Sequence, residues 1–131
     1  MIVDSSALIS VLRDEAESRA FLSVMALAEH LTVGTPTVLE TSMVLGARRR
    51  GHLHDFLRGQ HVDVAPFTVE HLDAAETAFA VFGRGSGSAA KLNFGDCMSY
   101  ALAKVSGEPL LFKGDDFTHT DITPAWTPEV S

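Results

Sequence analysis

Apolar residues along this chain fall into two rhythms that alternate from one end to the other. Met1-Ile2-Val3, Leu31-Thr32-Val33, Val62-Asp63-Val64-Ala65 and Leu110-Leu111-Phe112 are short runs closed by Asp4, Gly34, Pro66 and Lys113-Gly114. Runs this short, rich in β-branched and large aliphatic residues and bounded by turn formers, read as strands. Ile122-Thr123, ahead of Pro124, is a candidate fifth. Between them the apolar positions recur every three to four residues, as one face of a helix requires. Ala7, Leu8, Val11 and Leu12 mark a first helix that Ser5 or Ser6 can cap. Asp14-Glu15-Ala16-Glu17 has the spacing of a capping box ahead of Ala20, Phe21, Val24, Leu27 and Ala28. Thr35-Pro36 opens a helix that carries Glu40, Val44 and Leu45 toward Arg49. Three more helices follow: one over residues 52–60, one capped by Thr68 with Val69, Leu72, Ala75, Phe79 and Phe82 on its stripe, and one capped by Asn93 and ended by Gly107 and Pro109. GRGSGS at residues 83–88 breaks the pattern and reads as a mobile loop. Strands alternating with helices predict an α/β fold, a mainly parallel sheet with helices on both faces.

Size and composition narrow the class. With 131 residues, the chain suits a single domain over 1–131 with one hydrophobic core. Hydrophobic residues make up 46% of it, which excludes a disordered chain. Cys97 is the only cysteine, so no internal disulfide forms, and a lone thiol fits a reducing, cytoplasmic setting. The opening MIVDSS lacks a basic leader and a long apolar core, and no apolar stretch approaches membrane-spanning length. Neither a signal peptide nor a membrane association is expected. A net charge of −7 argues against a surface built for nonspecific nucleic-acid binding. It leaves room for a local basic patch beside a concentrated set of acids.

Such a set exists. Asp4, Glu40, Asp96 and Asp116 each stand beside the end of a strand-like run or in the first turns of a helix. In an α/β chain those positions converge on one edge of the sheet. Gathered carboxylates are costly unless something positive sits among them. Mg²⁺ and Mn²⁺ favour oxygen ligands, and Mg²⁺ keeps several waters beside one or two carboxylates. The acids therefore point to phosphoester chemistry, in which one or two ions polarise a phosphate and deprotonate a water. Each acid also has a structural reading. Asp4 can cap the helix that follows it. Glu40 can be solvated, although Val38, Leu39, Met43 and Val44 around it argue for a partly buried face. Asp96 can complete a capping box with Asn93 and suits the positive end of the helix dipole. Asp115 and Asp116 can be ordinary turn residues.

Other chemistry is thinner. His52 and His54 are two apart and do not share a helix face, so they read as surface residues. Cys97 takes a core-facing helical position, where a thiol is structural. Arg48-Arg49-Arg50 suits a solvated helix end. Arg48 and Arg49 can also hold a nucleic-acid backbone, with Arg84, Lys91 and Lys113. GRGSGS lacks the Gly-Lys-Ser/Thr ending of a P-loop.

MIVDSSAL, TPTVLETSMVL, NFGDCMSYALAK and LLFKGDDFTHTDI, in that order and spanning nearly the whole chain, resemble the VapC-type toxins of the PIN-domain ribonuclease family. The resemblance implies a three-layer α/β/α sandwich around a mainly parallel sheet. It implies a Mg²⁺- or Mn²⁺-dependent endoribonuclease acting on RNA, usually a homodimer, neutralised by a VapB-type antitoxin. By similarity Asp4, Glu40 and Asp96 match the first three family acids, and Ser6 matches the small hydroxyl residue near the first. Many family members read Thr-x-Asp after the fourth strand, whereas this chain reads Phe112-Lys113-Gly114-Asp115-Asp116. The fourth role therefore falls to Asp116 or Asp115. Two rivals remain. Haloacid-dehalogenase phosphatases also begin with a strand ending in Asp, but they need a second Asp two residues on, where this chain has Ser6. A catalytically silent binding scaffold would use the same acids only to close helices.

Overall fold

Neighbouring side chains on a strand point to opposite faces of the sheet, and in this chain that alternation divides the interior in two. A computed structural model describes residues 1–128. Its sheet is built from β1 (Ile2–Val3), β2 (Leu31–Gly34), β3 (Val62–Ala65) and β4 (Leu110–Leu111), all parallel, in the order β3-β2-β1-β4. Ile2 pairs with Leu110 and Val3 with Leu111. Ile2 and Leu110 face α5 (Val69–Phe82) and α6 (Phe94–Ser106), where they meet Ala75, Ala78, Ala101 and Leu102. Val3 and Leu111 face the other way, with Val33, onto α1 (Ser5–Leu12), α2 (Ser18–Leu27) and α4 (Arg50–Gly59), through Leu8, Phe21, Met25, Leu53 and Leu57. Helices on both faces of a parallel sheet make the three layers expected from the sequence. α3 (Thr35–Leu45) gives Val38 to the second core and packs against α1 and α6.

The strand order decides where a site can form. From β1 the chain steps outward through β2 to β3, then crosses back to place β4 on the opposite side of β1. Successive loops therefore leave β1 and β4 in diverging directions and open a crevice at their C-terminal ends. Asp4 follows β1 there, and the loop carrying Asp115 and Asp116 follows β4.

Several local expectations change. Ile122-Thr123 forms no strand. One bridge joins Leu110 to Pro124, flanked by bonds from Leu110 N–H to Thr123 O and from Ala125 N–H to Leu110 O. Pro124 has no N–H with which to continue the ladder. The capping box at Asp14 is also absent. α2 begins at Ser18, and Glu17 at its N-cap makes no side-chain cap bond. Asp14 instead takes a left-handed conformation, φ 52°, and accepts from Ser18 Oγ at 3.1 Å, a geometry Asp tolerates in a tight reversal. Finally Asp4, not Ser5 or Ser6, caps α1. Among the described residues, no helix is long and apolar enough to cross a membrane.

Candidate active site

Asp4 sits where β1 ends and α1 begins, and it serves both. Its Oδ2 accepts the backbone N–H of Ser6 at 3.1 Å and the Ser6 hydroxyl at 2.6 Å. Its Oδ1 accepts from the Ser99 hydroxyl on α6, and Ser99 Oγ lies 3.4 Å from Thr37 Oγ1 on α3. The carboxylate is only 3% exposed. The capping and cluster readings of Asp4 are therefore one geometry, with the cap holding the acid in place. Ser6 also ties the two strand ends together, since its Oγ accepts the backbone N–H of Lys113 at 3.0 Å.

Asp96 repeats the pattern on α6. Its backbone N–H donates to Asn93 Oδ1 at 2.9 Å, and its Oδ2 accepts the N–H of Asn93 at 3.0 Å. This reciprocal box fixes the side chain over the strand ends. Burial pushes the Asp96 carboxyl up to about 6, with the charges of Asp4, Asp116 and Glu40 adding to the rise and the bond from Asn93 opposing it. Glu40, on α3, is raised in the same direction by burial, moderated by the neighbouring Ser5 hydroxyl and reinforced by Asp4. Its Oε1 is buried without a hydrogen-bond partner, an arrangement that is costly unless something fills the gap.

Gly95 explains how Glu40 comes so close. A Cβ at this position would overlap Glu40 Oε2 and lie 2.5 Å from Cδ. The absence of a side chain lets the first turn of α6 accept the carboxylate from α3. Neither Gly95 nor the Ser99–Thr37 pair stood out in the sequence. Ser99 was discoverable, because it lies three residues after Asp96 and so shares its helix face.

The fourth strand's loop separates its two acids. Asp116 opens a short 3₁₀ turn, Asp116–His119, whose Phe117 is buried. Asp116 lines a pocket of about 480 Å³ with Arg84, Gly85, Gly87, Ser88 and Lys91, and its charge reaches Asp96. Asp115 lines a different pocket, with Glu17, Lys113 and Trp126. Lys113 is paired with Glu15 at 3.1 Å and Glu17 at 3.3 Å. Arg48 and Arg49 lie on the exposed turn beyond α3. His52 and His54 lie on α4, outside this cluster. Burial and the Asp96 charge raise the Cys97 thiol, which keeps it a poor nucleophile. Residues 83–88 form a loop, as the sequence predicts, and local hydrogen bonds tie it to itself. Gly83 pairs with Leu92, Ser86 Oγ donates to Gly83 O at 2.6 Å, and the N–H groups of Ser88 and Ala90 bond to Ser86 Oγ and Ser88 Oγ.

These residues suit a hydrated divalent ion. The donors are hard oxygens, one buried oxygen lacks a partner, and two carboxyls are driven toward the neutral form in the absence of a cation. Among the described residues no three acid, imidazole or thiol groups close a coordination shell by themselves. Water and substrate oxygens would complete it, as Mg²⁺ prefers.

Comparison with known proteins gives the same direction. The family model for the PIN domain matches residues 1–122. The chain is 43% identical over 129 residues to ribonuclease VapC28 of Mycobacterium tuberculosis, covering 95% of this chain and 97% of that protein. It is 41% identical to ribonuclease VapC30 of the same species, over 98% of this chain and all of that protein. Among solved structures it resembles M. tuberculosis VapC20, described as a sarcin-ricin loop cleaving toxin, with a TM-score of 0.72 at 18% identity over 93% of this chain and 95% of that one. A toxin–antitoxin complex from Klebsiella pneumoniae matches with a TM-score of 0.68 at 14% identity, over 88% of each chain.

Proposed function

This chain belongs to the PIN domain family, and from that membership we propose that it is the toxin of a type II toxin–antitoxin pair, a single-domain endoribonuclease that cuts RNA with Mg²⁺ or Mn²⁺. The observation that supports the reading is that the charges of Asp4, Asp116 and Glu40 all act on the part-buried Asp96. Asp4, Glu40 and Asp96 would hold the ion, with Asp116 assisting directly or through water. When bound, the ion supplies an acidified water and a polarised phosphate.

The protein's own groups orient and restrain. Ser6 and Ser99 keep both oxygens of Asp4 aimed, and the Asn93 box does the same for Asp96. Tethered donors of this kind lower the reorganisation needed in a reaction. With carboxylates as the gathered groups, metal-activated water would be the nucleophile, and the products would carry 5′-phosphate and 3′-hydroxyl ends.

A VapB-type antitoxin and a second copy of the chain are the proposed partners. The resemblance to a toxin–antitoxin complex supports the first. Exposed Leu39, Met43, Val44, Phe79 and Phe94 offer apolar surface for such contacts. A basic antitoxin residue reaching the acids would compete with metal. An RNA substrate and a lone unpaired thiol suit the cytoplasm.

Sequencing RNA ends after incubation of total RNA with the purified protein tests this reading. Cleavage should require Mg²⁺ or Mn²⁺ and leave 5′-phosphates. Cleavage that persists in EDTA and leaves 2′,3′-cyclic phosphates would overturn it.

A further inference from the structure

The loop between α5 and α6 holds two cations beside an acid-rich crevice, and that combination needs a reason. Arg84 and Lys91 line the pocket of about 480 Å³ that Asp116 also lines. Both are exposed, and among the described residues neither makes an ion pair or a side-chain hydrogen bond. Lys113, the other cation at this edge, is already taken by Glu15 and Glu17. In a chain of net charge −7, two free cations facing one pocket form a local attraction for an anion.

The loop that presents them is built to hold still. Arg84 N–H donates to Leu92 O at 3.1 Å and Leu92 N–H to Phe82 O at 2.9 Å, closing the loop at its base. Ser86 and Ser88 take up the inner backbone groups. Gly85 and Gly87 make the turns at φ 86° and 87°. Ala90 and Leu92 are both fully buried, and Lys91 between them is turned out at φ 49°. A lysine in the left-handed region is strained, and such strain gathers at functional sites. Here it keeps Lys91 out of the core, on the wall of the pocket.

We propose that residues 83–92 form the phosphate-holding arm of the substrate groove, with Arg84 and Lys91 gripping the RNA backbone phosphate next to the one that is cut. The inference rests on the ribonuclease reading above. A phosphodiester is the anion of choice because the pocket opens onto Asp116, so a strand held there continues directly to the acids. A carboxylate-bearing segment of the antitoxin is the competing occupant.

The test uses the full chain, a fluorescein-labelled mixed-sequence 20-nucleotide single-stranded RNA in EDTA, and a series of salt concentrations. Arg84→Ala/Lys91→Gly should bind roughly tenfold more weakly at low salt, with the slope of log affinity against log salt shallower by about 0.7, as the loss of one neutralised phosphate on a single strand requires. Lys91→Gly alone should weaken binding while its melting temperature stays level or rises, because glycine accepts φ 49°. Lys91→Arg should restore binding. Arg19→Ala/Arg58→Ala removes the same charge from the exposed faces of α2 and α4 and should leave the slope unchanged. An unchanged slope in the Arg84/Lys91 variant overturns the proposal, as does a loss confined to antitoxin affinity. If the wild type itself neither binds this RNA nor cleaves total RNA with Mn²⁺, the ribonuclease reading falls and takes the proposal with it. Cleavage intact in every variant leaves that reading standing and removes only the arm.

Discussion

A hydrogen atom in place of a methyl at Gly95 decides whether Glu40 reaches the cluster. The clash that alanine would cause falls on the far end of a flexible side chain, so the protein can relieve it by moving the carboxylate away. Gly95→Ala should therefore change stability by less than about 1 kcal/mol, since alanine also favours the helix. Cleavage should drop at least about tenfold, the loss expected when one positioned group leaves a site. A melting curve and a cleavage rate on the same preparation check this, and an undiminished rate would remove Glu40 from the proposed site. The adjacent acids after β4 make a second contrast. Asp116 shares its pocket with Arg84 and Lys91, while Asp115 faces Trp126 and Glu17. Asp116→Ala should cut cleavage at saturating Mn²⁺ more than Asp115→Ala, and less than Asp4→Asn. The reverse order would show that the loop acts one residue earlier.

The first turn of α6 does two tasks at once. It satisfies its own orphan N–H groups through the Asn93–Asp96 box and presents Asp96 to Asp4, Glu40 and Asp116. These tasks conflict electrostatically, because burial and neighbouring charge lift the Asp96 carboxyl from 3.8 to about 6. The folded, metal-free protein thus binds this proton more tightly than the unfolded chain does. Stability from this group is greatest below 3.8, falls as pH rises toward about 6, and stays at its lower level above that. Glu40 shifts the same way, whereas Glu108 and Asp121 are lowered and act oppositely. The informative quantity is the difference between wild type and Asp96→Asn, whose amide oxygen can still accept the Asn93 N–H. In EDTA at pH 7 the variant should be more stable than wild type by about 1 kcal/mol, discounted for a side chain that is partly solvated. The gap should close by pH 4. Urea titrations at the two pH values measure it, and a variant that unfolds at both would show that the cap outweighs the charge.

For the whole molecule, Asp4 after β1, Glu40 on α3, Asp96 on α6 and Asp116 after β4 are distant in sequence, so a cation held by them as proposed would stabilise folding. Mn²⁺ at about a hundredfold over its Kd should add about 2.7 kcal/mol. In a chain of this size the melting temperature should rise by about 10 °C. Asp4→Asn should lose most of that rise yet fold normally, because its Oδ1 can keep the Ser6 cap and its amide can donate to Ser99 Oγ. An equal Mn²⁺ shift in wild type and variant would place the ion elsewhere.

Periodicity alone determined the element types, because a strand repeats every two residues and a helix every 3.6. It located four strands and the starts of the helices at Ser5, Thr35, Val69 and Phe94 to within a residue or two, but it carried the Thr35 helix toward Arg49, whereas Gly46 ends it at Leu45. It also singled out the acids, since carboxylates at strand ends and helix starts are local features of the chain. It misplaced what depends on distant partners. Ile122-Thr123 looked like a strand but meets Leu110 through a proline. Asp14 looked like a cap but turns a corner. Only the tertiary structure set β4 beside β1 and so opened the crevice there. Only packing brought Glu40 onto Gly95, Ser99 onto Asp4, and Arg84 and Lys91 onto the pocket of Asp116. Spacing along a chain encodes which face a residue takes, but not which element that face will meet.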